Sequence, residues 1–99
     1  MLFKFASNKL EELYYSGKGA KDYPFEVVRA FVKKVNAIKD ASNENDLRKI
    51  RSLNFESMKG EKGKYSIRLN KSWRLIVSMT KNTLGKIVII LEIVNHYGD

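Results

Sequence analysis

"KYSIRLNKSWRLIV", Lys64–Val77, is the stretch that decides the fold of this chain. Apolar and polar residues alternate on both sides of a short polar break, the pattern of two strands joined by a turn. If the turn is Asn70, Lys71 and Ser72, then Leu69 lies opposite Trp73, Ile67 opposite Leu75 and Tyr65 opposite Val77, so every large apolar side chain shares one face. A two-residue turn mixes the faces and sets Trp73 beside Arg68. The first register has a cost, because Arg68 then pairs across from Arg74, and like charges directly opposite destabilise a sheet by roughly 0.2–1 kcal/mol. A fold does not need that arrangement. It becomes useful if a phosphate binds between the two guanidinium forks, which can make bidentate bonds and keep their charge. The alternative is that both arginines are solvated surface residues, with Arg74 bonding Glu56 or Glu92 on a neighbouring strand.

Outward from this hairpin, period-two patterning predicts strands near residues 53–58, 64–69, 73–80 and 86–96, joined by "KGEKG", "NKS" and "KNTLG". The last is almost continuously apolar, "IVIILEIV", as expected of a strand buried on both faces and therefore central. Upstream, "LFKFAS" alternates as a first strand, and Ser7 or Asn8 can cap a helix over "NKLEELYYSG" that ends at Gly17. Pro24 suits the first turn of a second helix, on which Val27, Val28, Phe31, Val32, Val35 and Ile38 form one apolar stripe. "DASNENDLRKI" reads as a polar turn with one more helical turn. The expected fold is α+β, with two N-terminal helices on one face of a mostly antiparallel sheet and the other face open.

With 99 residues the chain has room for one domain and one core, so residues 1–99 are read as a single domain. The absence of cysteine excludes a disulfide framework and a thiolate metal site, and one histidine leaves little to hold a transition metal. Neither a metal nor a cofactor is expected. No stretch has the length of a signal peptide or a membrane span, which makes a cytoplasmic protein with no membrane partner the default.

The formal net charge is +8, from 19 basic and 11 acidic residues. Between Arg48 and Arg74 lie nine basic residues and two acids, Glu56 and Glu61, so that quarter carries nearly all of the excess. Arg48, Lys49, Arg51, Lys59, Lys62, Lys64 and Lys71, which precede the two arginines or lie between them in sequence, are candidate contacts to a nucleic acid or an acidic protein partner. Near the end, the sole histidine, His96, is a proton-transfer candidate because an unperturbed imidazole is the side chain that changes charge near neutrality, and Tyr97 is a second; the ordinary reading of such a pair is packing and solvation.

"LNFESMKGEKGKYSIRLNKSWRLIV", with "EIVNHY" after it, resembles the HigB-type toxins of the RelE/ParE superfamily. Their recurrent pattern is a Leu-Lys-Gly turn, a glycine, "YSIRVN", two variable residues, "WR", an apolar strand and a closing Asp-Tyr-His. The upstream two-helix segment fits the same family, so the similarity spans nearly the whole chain. The resemblance implies a ribosome-dependent, metal-independent endoribonuclease that enters the ribosomal A site, touches 16S ribosomal RNA and cuts messenger RNA by 2′-hydroxyl attack. It also implies a HigA-type antitoxin as partner. Carried over by position, Arg68 and Arg74 match the two motif arginines as catalytic residues, and Lys59 of "MKG" matches the turn lysine. Tyr65 is motif-matched too, but its register turns it toward the core. The closing triplet departs from the pattern: Asn95, His96 and Tyr97 replace Asp-Tyr-His, which makes His96 the first and Tyr97 the second candidate for proton transfer. Glu56 falls near a position where some relatives carry a His or an acid. Two other functions are compatible with the superfamily: a ParE-like inhibitor of DNA gyrase, and an RNA-binding relative without catalysis.

Overall fold

The computed structural model describes residues 1–95. The chain runs β1 (Leu2–Phe5), α1 (Asn8–Ser16), a single turn at Ala20–Asp22, α2 (Phe25–Asp40), α3 (Glu44–Lys49), a second turn at Arg51–Leu53, β2 (Glu56–Ser57), β3 (Lys64–Arg68), β4 (Trp73–Asn82) and β5 (Gly85–Asn95). Local chemistry sets the helix ends. The Ser7 hydroxyl accepts from Leu10 N–H at 3.5 Å and Gly17 closes α1 at φ 77°, a conformation that a Cβ disfavours. Pro24 stands one residue before α2 rather than inside its first turn, and its carbonyl accepts from Val27 and Val28. The polar segment after α2 forms a six-residue helix, because Asn43 Oδ1 caps Asp46 N–H at 3.1 Å.

The sheet order is β1-β5-β4-β3-β2, with β1 and β5 parallel and the other neighbours antiparallel. One face is covered by α1 and α2, as the amphipathic stripe requires. Leu10, Leu13, Val27, Phe31, Val35 and Ile38 meet Ile67, Leu75, Val77, Val88 and Ile90 there, all of them buried. Val28 and Val32 lie at the margin of the stripe and are half-buried. The predicted hairpin register holds at each pair, including Tyr65 with Val77, Ile67 with Leu75 and Arg68 with Arg74.

Three sequence expectations need correction. The strand expected from Leu53 is only Glu56–Ser57, because Asn54 takes a left-handed conformation (φ 47°) that ends the preceding turn and breaks the extended run. The middle strand is β4, whereas β5 lies between β1 and β4. Nor is β5 buried on both faces: only Val88 and Ile90 are fully enclosed. Its uninterrupted apolar run conceals a bulge. Val77 pairs with Ile90 and Ile76 with Glu92, so Leu91 is the extra residue. After it the faces exchange: Ile93 turns to the core, while Glu92 and Val94 turn to the open face.

Candidate active site

The face away from the helices is laid out in cross-strand rows. Arg68, Arg74 and Val94 form one row, and Glu56, Ser66, Ile76 and Glu92 form the next. Lys64, Ser78 and Ile89 form a third. The segment from Asn54 to Glu61 walls this surface into a cavity of about 410 Å³, floored by Ser66, Ile76, Val94 and Arg74. That volume is in the range of small-ligand sites. Ile76 is only 5% exposed although it faces away from the core cluster, which shows how deep the floor lies. Gly60 and Gly63, at φ 81° and 79°, give the Lys59–Gly63 loop the left-handed turns by which it folds back to β3.

Arg68 and Arg74 are cross-strand partners on this face, Arg74 lining the cavity and Arg68 lying outside its lining, and the β3–β4 turn holds both. Arg74 Nη1 donates to the Asn70 carbonyl at 2.8 Å and to the Trp73 carbonyl at 3.1 Å, while Arg68 Nε donates to the same Asn70 carbonyl at 3.4 Å. One backbone oxygen thus lies between two guanidinium groups, which offsets part of their repulsion and leaves further N–H donors on each. The expected alternative, Arg74 bonded to Glu56 or Glu92, does not occur among the described residues. Asn70 organises the turn as well. Its Oδ1 accepts from the N–H groups of Ser72 and Trp73, both at 2.9 Å, and its Nδ2 donates to Glu26 of α2 at 3.1 Å. Asn70 is therefore a site residue that pattern reading passed over as a turn former. The signal in the sequence was an Asn two and three residues before backbone donors it can cap.

The basic segment is divided between two surfaces. Lys59 and Lys64 line the cavity, with Lys64 Nζ 3.2 Å from Glu61 Oε1. Lys71 is exposed at the turn beside the arginine pair, and Lys62 is exposed on the Lys59–Gly63 loop. Arg48, Lys49 and Arg51 belong to the helical layer and do not line the cavity. Arg48 is committed to structure: its Nη2 is 2.7 Å from Glu44 Oε2, and its guanidinium lies over the rings of Phe55 and Tyr65, 5.4 and 5.8 Å from their centroids. Those rings stack on each other at 4.7 Å and pack against the core, so Tyr65 has the structural place that its register predicted. Glu44 also holds Lys86 Nζ at 2.6 Å, and the hydrogen bonds from Lys86 and Arg48 pull its pKa below the ordinary carboxylate value. His96 and Tyr97 lie outside the described residues. Asn95, the first residue of the closing triplet, pairs with Trp73 on the helix-covered side of the sheet. Among the described residues no three His, Asp or Glu side chains converge as a metal site would need, and no helix is long and apolar enough to cross a membrane.

This geometry offers cations and N–H donors to an anion on an open sheet face, beside an apolar floor bordered by carboxylates. Known proteins share both the sequence and the frame. Across 98% of this chain and all of the other, the fold superposes on a YoeB/ParE toxin from Agrobacterium tumefaciens with a TM-score of 0.57 and 15% sequence identity, a likeness of fold. Toxin HigB-1 of Vibrio cholerae serotype O1 is 35% identical over 77 residues, covering 77% of this chain and 81% of that protein. The family described as the RelE-like toxin of the type II toxin-antitoxin system HigB matches residues 3–91. The chain therefore belongs to the HigB-like family of RelE-superfamily toxins from type II toxin-antitoxin systems.

Proposed function

We propose that this toxin is a ribosome-dependent endoribonuclease that cuts messenger RNA in the ribosomal A site and is held inactive by a HigA-type antitoxin. The observation that carries the reading is the Arg68–Arg74 pair, set side by side on the open face and tethered to one carbonyl. Like charges directly opposite destabilise a sheet, and a bound anion would offset the part of that repulsion which the shared carbonyl leaves. In the proposed reaction the ribose 2′-oxygen attacks the adjacent phosphorus, the O2′–P bond forms and the P–O5′ bond breaks. A base takes the 2′-hydroxyl proton and an acid protonates the leaving 5′-oxygen. Arg68 and Arg74 stabilise the charge on the pentavalent phosphorane, and Lys59 on the cavity wall adds a cation. His96 is the preferred proton-transfer group, with Tyr97 second. Lys62, Lys64 and Lys71 contact the RNA backbone or 16S ribosomal RNA around this centre.

The test is primer extension on a reporter transcript in a reconstituted translation system, with and without ribosomes, using wild type, Arg74→Ala and His96→Ala. Cuts that need ribosomes and fall by about 10²–10³ in Arg74→Ala are expected, the usual cost of removing one transition-state donor. Growth arrest by the wild type without any cut would overturn the nuclease reading and direct attention to DNA gyrase.

A further inference from the structure

We infer that Glu92, Ile76 and Val94 form a nucleobase subsite beside the arginine pair, and that it favours guanine. The inference rests on the endoribonuclease reading and adds the base that the site selects. Three observations support it. First, the bulge at Leu91 is the device that places Glu92 here: continued alternation from Val88 and Ile90 would send Glu92 and Val94 into the core, whereas the extra residue turns both into the cavity. Second, the cavity floor is apolar where a solvated sheet face would be polar. Ile76 is nearly buried, Val94 half-buried, and Met58 closes the wall above them, a surface on which a base plane can lie flat. Third, the exposed Glu92 is cross-strand partner of Ile76, and Val94 is partner of Arg74. A phosphate held at the arginines therefore places its nucleotide's base one row away, over Ile76 and against the Glu92 carboxylate.

A carboxylate is purely an acceptor. Guanine alone presents two adjacent donors, N1–H and N2–H₂, that match both oxygens of one carboxylate. Adenine and cytosine each offer one amino group next to a ring acceptor, and uracil offers a single N–H between two carbonyls. The order of preference is therefore guanine first and uracil last. One bidentate contact of this kind discriminates by roughly 5- to 150-fold.

The experiment is sequencing of cleavage ends across a messenger-RNA pool in the reconstituted translation system, for wild type and Glu92→Gln, with thermal melts of both proteins. Guanine should be enriched at one fixed position next to the wild-type cuts. Glu92→Gln should continue to cut with that enrichment lost, because an amide places a donor against one of guanine's donors. Wild-type cuts without guanine enrichment, or enrichment unchanged in Glu92→Gln, overturn the subsite and leave the nuclease reading intact. Loss of all cutting in a normally folded Glu92→Gln also overturns it, since Glu92 would then act in the reaction. No cutting by the wild type removes the nuclease reading and the subsite together.

Discussion

Replacing Asn70 tests how the turn that carries the arginine pair is held. In Asn70→Ala the backbone N–H groups of Ser72 and Trp73 lose their common acceptor, two part-buried bonds of 2.9 Å, and Glu26 loses its donor at 3.1 Å. Each of the first two contributes about 1 kcal/mol net, and the exposed third contributes little, so the loss is about 2 kcal/mol. For a domain of this size that corresponds to a fall in Tm of roughly 8–16 °C. Asn70→Asp keeps the oxygen that caps the turn and loses only the bond to Glu26, replacing it with a like-charge contact, so it should keep most of the stability. Thermal and urea denaturation followed by circular dichroism would measure both variants. An Asn70→Ala protein melting within about 2 °C of wild type, or an Asn70→Asp protein as unstable as Asn70→Ala, would refute the view that this side chain organises the turn.

Other consequences follow from the same structure. Leu75→Ala, at a fully buried position of β4, should destabilise by about 2–5 kcal/mol in urea titrations, with the m-value unchanged. Glu44 has a folded pKa below its ordinary 4.5, so its contribution to stability is complete above that value and is lost as pH falls through the lower folded one. Stability of Glu44→Gln should accordingly decline less than wild type as pH is lowered below about 5, which melts across that range would show. Lys59→Ala should reduce the slope of log affinity for single-stranded RNA against log salt by about 0.7, measured by fluorescence anisotropy. Arg48→Ala should leave that slope nearly unchanged, because its guanidinium is engaged by Glu44 and two aromatic rings.

Much of this architecture could be read from the chain because two periodicities are unambiguous. The three- and four-residue steps from Val27 to Ile38 fix a helix lying on a sheet, and the alternation around Asn70–Ser72 fixes the register that brings Arg68 and Arg74 together. What could not be read has equally physical causes. In "IVIILEIV" either face can be apolar, so the bulge that reorients Glu92 leaves no trace in the pattern. Asn54, between a turn and the buried Phe55, is left-handed, and no periodicity reports that. The basic run from Arg48 to Arg74 is continuous in sequence, but the chain crosses from the helical layer to the open face within it. Arg48 and Lys59 therefore end on different surfaces. Asn70 was visible as a turn residue, and its hold on both guanidinium groups emerged only when the turn closed.

The most direct test of the central claim is a double-mutant cycle on Arg68 and Arg74, read as the single-turnover rate of cleavage of ribosome-bound messenger RNA. If both guanidinium groups hold one scissile phosphate, Arg68→Ala and Arg74→Ala each slow cleavage strongly, and the double variant loses less than the product of the two single losses. If either single variant cleaves at the wild-type rate, or the two losses simply multiply, the arginines do not act on a common phosphate and the account of this site is wrong.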